Sequence, residues 1–163
     1  MIANVFLASV TMVVCVAIQC VIVAVMLRSL MALDRRQLIT PTLVRVSSLL
    51  GGVLLIMLAG NLIQIGLWAW LFWFFGEFGD YGTAFYHSVV NFTTLGYGDL
   101  VMSEDGRLVG ALEAANGVLM FGLTTAILFA VLDTLIKRAM ASRLRWTGSH
   151  KSFREPPPEG TEP

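Results

Sequence analysis

A chain of 163 residues that is 56% apolar and only 13% charged, with a positive mean hydropathy, lies outside the composition of a soluble domain and belongs in a bilayer. Eleven basic and eleven acidic residues leave a formal net charge of zero, but their uneven distribution orients the chain, as set out below. The two cysteines, Cys15 and Cys20, stand five apart on one apolar segment, where a helix points them in different directions and an internal bridge is not expected.

The first apolar segment, residues 5–27, follows no charged stretch and precedes no small-residue cleavage site, so it reads as a retained helix rather than a removed leader. It carries no repeated arginines, only Arg28 at its end, which excludes a dedicated voltage sensor. Gln19, midway along it, is expected to bond across a helix interface. Residues 1–41 thus form a peripheral transmembrane helix and its connection. The second segment, 46–75, lies within an outer helix expected over 42–75. At about 45 Å it exceeds a hydrocarbon core of about 30 Å and must tilt or project. Its end, LWAWLFWFF, fits an interfacial aromatic belt.

Residues 81–93, YGTAFYHSVVNFT, predict a helix of about 20 Å, too short to cross. Glycines and charges follow at once, and irregular backbone at membrane depth survives only where protein buries it or water and ions satisfy it. The segment is therefore expected to be re-entrant. The third apolar run, 108–132, lies within an inner helix expected over 106–140. Its one acid, Glu113, is an intramembrane ionisable group and so a functional hypothesis. It either bonds the short helix from behind or sits protonated among Asn61, Gln64 and Asn116, in a structural role rather than as an ion ligand. Asp133 and Lys137 are spaced for a surface pair. The tail, 141–163, ends in REPPPEGTEP and is expected to be disordered.

Arg28, Arg35, Arg36 and Arg45 flank the first connection, and Lys137, Arg138, Arg143, Arg145, Lys151 and Arg154 follow the last span. By the positive-inside rule those ends are cytoplasmic, the N-terminus is outside, and the short helix enters from outside. Membrane lipids, with anionic headgroups on the cytoplasmic side, are expected partners. The outer end gathers Glu77, Asp80, Asp99, Glu104 and Asp105, which concentrates cations and repels anions.

Between these elements lies TTLGYGDL, residues 93–100. Under average residue usage Thr-x-Gly-Tyr-Gly-Asp arises by chance at on the order of one position in a million. A phosphate-binding glycine loop would need a preceding strand and a soluble α/β unit, and neither is expected here. Glycine takes positive φ at little cost, so Gly96 and Gly98 allow an alternating backbone that aims successive carbonyls to one side, in place of a cation's water shell.

Residues Thr94, Leu95, Gly96, Tyr97, Gly98 and Asp99 resemble the selectivity filter of the potassium channel family, after a short pore helix and before an inner helix, over residues 42–140. The pore resembles that of the minimal two-helix type, with an extra N-terminal span that the resemblance does not cover. The resemblance implies an all-α integral membrane protein with three transmembrane helices, a re-entrant pore helix over 81–93, a filter over 94–98 and four-fold assembly. K+ would bind the carbonyls of Thr94, Leu95, Gly96 and Tyr97 and the Thr94 hydroxyl, three identical subunits completing each cage. Thr93 and Asp99 would flank and support the filter. His87 takes the place of a family aromatic that bonds the filter tyrosine, so it either reaches the Tyr97 hydroxyl or packs between helices. Tyr86 would reach Asp99, since Val90 stands where some members carry a glutamate for that aspartate. Leu95 replaces the usual valine or isoleucine, and its side chain is expected against the pore helix.

The segment FGLTTA at 121–126 resembles the inner helix of the same channels. Gly117 takes the hinge position, as a bend or a close crossing, and Gly122 is expected at a close contact. Val118, Phe121, Thr125 and Phe129 would line the cavity, the two phenylalanines as dewetting constrictions or as packing. The expected function is a potassium-selective passive pore in the cytoplasmic membrane. The alternatives are a weakly selective monovalent cation channel and a non-conducting membrane subunit. No paired carboxylates, activated nucleophile or metal-ligand spacing suggests an enzyme, and no organic cofactor, further metal or nucleic acid is expected.

Overall fold

The computed structural model describes residues 2–35 and 43–152. It has four helices, α1 (Ile2–Arg35), α2 (Leu43–Phe74), α3 (Tyr81–Phe92) and α4 (Arg107–Ser152), and no strand among the described residues. Three of them hold stretches long and apolar enough to cross a membrane, Ile2–Ala32, Val44–Phe74 and Arg107–Lys137. The fourth, α3, has 12 residues and is too short to do so. Arg36 and the rest of the first connection, and the tail from 153 with Arg154 and its prolines, lie outside the described residues.

Each boundary has a local cause. At the end of α2 the Gly76 amide donates to the Trp73 carbonyl and the Glu77 amide to the Phe72 carbonyl, with Gly76 at φ 75°, the left-handed cap that glycine favours. Asp80 then caps α3, its carboxylate accepting from the Thr83 amide at 2.9 Å and hydroxyl at 2.5 Å. Those bonds hold the Asp80 carboxyl below its ordinary range, and its charge complements the helix N-terminus.

The inner helix does not stop at 140. It continues to Ser152, so residues 141–152, expected to be disordered, are helical. Ala141, Arg143, Leu144 and Arg145 favour helix, and no proline stands before Pro156 to end it.

The short helix packs against both α2 and α4, while α1 packs against α2 and α4 and does not touch α3. One apolar cluster surrounds α3, built on Trp68, Phe72, Ala84, Phe92 and Val109. A second, around Met26, Val53, Met57 and Val131, closes the other end. Between them Gln64 donates to Gln19 at 2.8 Å and Gln19 to the Met57 sulfur at 3.3 Å. In hydrocarbon, where apolar burial drives no association, such bonds and close packing join helices, and Gln19 bonds across the α1–α2 interface as its sequence position predicts. The cysteines are free, Cys15 buried and Cys20 exposed.

Candidate functional site

The chain leaves α3 through a tight series of backbone bonds. The amide of Thr93 donates to the Val89 carbonyl, Thr94 to Asn91, and Leu95 and Gly96 both to Val90, at 2.9–3.4 Å. Successive N–H groups are thus turned back onto the last turn of the helix. Beyond them φ is positive at Thr94 (58°), Gly96 (59°) and Gly98 (75°), and at no other residue of the turn. Alternating left- and right-handed residues gather the N–H groups of a strand on one side and the carbonyls on the other. Glycine adopts this at Gly96 and Gly98 without strain. Thr94 does not, and a β-branched residue there stores on the order of 1–3 kcal/mol of strain. Its hydroxyl donates to the Thr93 carbonyl at 2.7 Å, which leaves the oxygen lone pairs open to a cation. The Thr93 hydroxyl bonds back to Val89 at 2.8 Å.

Tyr86 reaches Asp99, its hydroxyl donating to the carboxylate at 2.7 Å. That bond holds the Asp99 carboxyl below its ordinary range and pushes the Tyr86 phenol up. His87 behaves otherwise than a bond to Tyr97 requires. Its ring lies 4.8 Å from Phe78 and 5.7 Å from Phe72, centroid to centroid, and its buried Nε2 has no partner. Burial pushes its pKa down, so the packed reading holds within the chain. Leu95 also departs from expectation. It is 55% exposed and Tyr97 69%, and all of 93–99 is exposed, so Leu95 is not buried against α3 of its own chain.

Behind the turn sits Glu113, fully buried. The Ser88 hydroxyl contacts one of its oxygens and the Asn91 amide donates to the other at 2.6 Å. Asn91 also donates to the Gly110 carbonyl at 2.8 Å, and Ser88 lies 3.0 Å from the Ile65 carbonyl. This ties α2, α3 and α4 together, and it realises the first of the two placements predicted for Glu113. Asn116, in contrast, is buried with both side-chain polar atoms unpartnered. Ser88 and Asn91 were not among the residues predicted from the sequence. Their three-residue spacing, which puts them on one face of α3, was the available signal.

Two contacts join α4 to the base of the turn. A Cβ on Gly117 would overlap the Phe92 carbonyl, so the glycine permits a close crossing at the C-terminus of α3. Phe121 stacks edge-on against Phe92 at 5.8 Å. Gly122 has nothing within the same chain near its would-be Cβ. Val118, Thr125 and Phe129 are exposed along the same side of α4 and line no enclosed space of the single chain. At the opposite end of the turn the Glu77 carboxylate accepts from the Ser103 amide at 2.9 Å and hydroxyl at 2.8 Å, bracing the loop into α4. Asp133 and Lys137 pair at 2.6 Å. No group of His, Cys, Asp and Glu suited to a metal occurs among the described residues.

Comparison with known proteins adds one finding. A family model described as an ion channel matches residues 48–134, more than half of the chain. No curated protein and no solved structure matches. The matched stretch begins in α2, takes in α3 and the turn at 94–98, and ends in α4, so the chain belongs to the ion channel family.

Proposed function

We propose that this chain is one quarter of a potassium-selective pore, with residues 94–98 as its filter. The observation that carries the reading is the positive φ at Thr94, Gly96 and Gly98, a two-residue period that turns successive carbonyls to one side. A dehydrated K+ then meets carbonyls of Thr94, Leu95, Gly96 and Tyr97 with the Thr94 hydroxyl below. One strand supplies one oxygen per ring, so four chains around an axis complete each cage.

The surroundings support this. The C-terminus of α3, the negative end of its dipole, lies at the base of the turn and favours a cation there. The carboxylates of Glu77 and Asp99 are held near the other end by Ser103 and Tyr86, keeping negative charge at the mouth. In the proposed orientation that mouth faces outside, α3 re-enters from there, and the basic ends of α1 and α4 face the cytoplasm across the cytoplasmic membrane.

The deciding experiment reconstitutes the full chain in a planar bilayer with K+ on one side and Na+ on the other. A reversal potential displaced far from zero, with the sign of K+ permeating in preference to Na+, supports the proposal. A value near zero assigns the chain as a weakly selective cation channel, a reading favoured by the bulkier Leu95 beside the filter. Absence of current from assembled protein assigns a non-conducting subunit.

A further inference from the structure

We infer that Glu113 is a positioning residue for the filter: through Ser88 and Asn91 it fixes the rotation of α3 about its own axis, and with it the carbonyls from which residues 93–96 hang. The inference rests on the reading of 94–98 as a filter and goes beyond the stability that the buried cluster supplies.

The last turn of α3 carries two sets of bonds. Its carbonyls at Val89, Val90 and Asn91 accept the amides of Thr93, Thr94, Leu95 and Gly96 at 2.9–3.4 Å. Its side chains tie it to the other helices: among the described residues, Ser88 and Asn91 are the polar side chains of this half of α3 that reach α2 or α4. Val89 and Val90 stand between these two anchors in the chain. Asn91 belongs to both sets, since its backbone carbonyl accepts from Thr94 while its side-chain amide donates to Glu113 at 2.6 Å and to the Gly110 carbonyl at 2.8 Å.

The magnitudes show why rotation matters. Apolar contact has no preferred direction, whereas a hydrogen bond weakens steeply with angle, so the polar anchors are what set the angle of α3. A turn of about 20° moves the helix backbone, at a radius of about 2.3 Å, sideways by about 0.8 Å. The residues hung from that backbone either follow by the same amount or lose the alignment of their bonds. A binding constellation tolerates displacements of about 0.5 Å, so a loose α3 spoils the oxygen rings before it unfolds the chain.

Glu113 acts here through its neighbours and not on the ion. It is fully buried, with one oxygen engaged by Ser88 and the other by Asn91. An amide of the same length reproduces both contacts. It donates to Ser88, whose own proton then serves the Ile65 carbonyl at 3.0 Å, and it accepts from Asn91. A methyl group reproduces neither. Gln19 supplies the comparison, because its buried bond to Gln64 joins α1 to α2 and α1 does not touch α3. Its loss weakens the bundle without releasing the short helix.

The test uses the full chain in lipid nanodiscs, with hydrogen–deuterium exchange at residues 93–96 read by mass spectrometry, beside reversal potentials in planar bilayers. Glu113→Ala and Asn91→Ala should each speed exchange of the 94–96 amides about tenfold and draw the reversal potential toward zero. The double variant should be no worse than either single one, since both act through one contact. Glu113→Gln should match the wild type in both readouts. Gln19→Leu should lower the thermal midpoint and leave both readouts unchanged. Asn91→Ala carries the comparison if Glu113→Ala does not assemble. Wild-type exchange in the folded alanine variants overturns the inference, as does an unshifted reversal potential when the wild type is selective. Failure of Glu113→Gln to restore the turn also overturns it, and so does a Gln19→Leu chain whose turn loosens as much as that of Glu113→Ala, which would reduce the effect to lost stability. Exchange needs no current, so a wild-type pore without K+ preference contradicts the filter assignment alone, and the exchange comparison still decides whether Glu113 holds the turn.

Discussion

At the scale of single residues, the site depends on backbone conformations that only certain side chains tolerate. A Cβ at Gly96 or Gly98 meets no neighbour, so the obstacle to alanine is conformational, roughly 1–2 kcal/mol for each left-handed L-residue. Gly96→Ala and Gly98→Ala are therefore expected to assemble normally and to lose K+ selectivity, read as a reversal potential collapsing toward zero; unchanged selectivity in both would remove the filter assignment. The two glycines were legible in the sequence because positive φ is written in residue type. The same conformation at Thr94 was not, since nothing in a threonine announces it and only the bonds pulling the Thr94, Leu95 and Gly96 amides onto α3 impose it. Glu113 was legible as an anomaly and its partners were not. Ser88 has one proton for two acceptors, Glu113 and Ile65, and an amide at position 113 donates to Ser88 while accepting from Asn91. Glu113→Gln should thus stay within about 1 kcal/mol of the wild type, whereas Glu113→Ala leaves buried Ser88 and Asn91 groups unpaired and costs about 2–4 kcal/mol. Thermal unfolding of the solubilised protein separates the two.

At the scale of elements, the closest approach of α4 to the base of the turn is the crossing of α3 and α4 at Gly117. Adding a methyl there drives α4 off the Phe92 carbonyl, one residue before the turn begins. Gly117→Ala should destabilise by about 1–3 kcal/mol, as overpacking does, and should lower conductance along with it. Gly52→Ala, on α2 and with no neighbour at its would-be Cβ, serves as the control and should be neutral or gain up to about 1 kcal/mol from helix propensity. If both behave alike in thermal unfolding and conductance, the crossing carries no special role. Sequence pattern placed all four helices because apolar runs in a membrane protein need a fixed length, and α3 was marked by being too short. It misjudged where α4 ends, because polarity past residue 140 reads as an exit from the membrane and not as an exit from the helix. It also did not show that α1 packs on α4, a contact that apolar composition alone cannot register.

At the scale of the whole molecule, the exposure of residues 93–99 is the fact that one chain cannot accommodate. Apolar side chains such as Trp70 and Phe74 lie open at no cost in lipid, whereas backbone polar groups at membrane depth must be met by protein, water or ions. On the proposed reading, the exposed turn and the exposed line of Val118, Thr125 and Phe129 on α4 would be met by other copies around a shared axis. The number of copies has a functional signature beyond mass. If one Gly98→Ala subunit is enough to spoil a ring of four, mixing equal amounts of wild-type and variant chains leaves only about one-sixteenth of the pores intact. Co-reconstitution at a series of ratios should then give selective current that falls as the fourth power of the wild-type fraction. A linear fall would mean that each chain conducts alone, and a square law that two chains suffice; either would contradict a cage built from one oxygen per subunit.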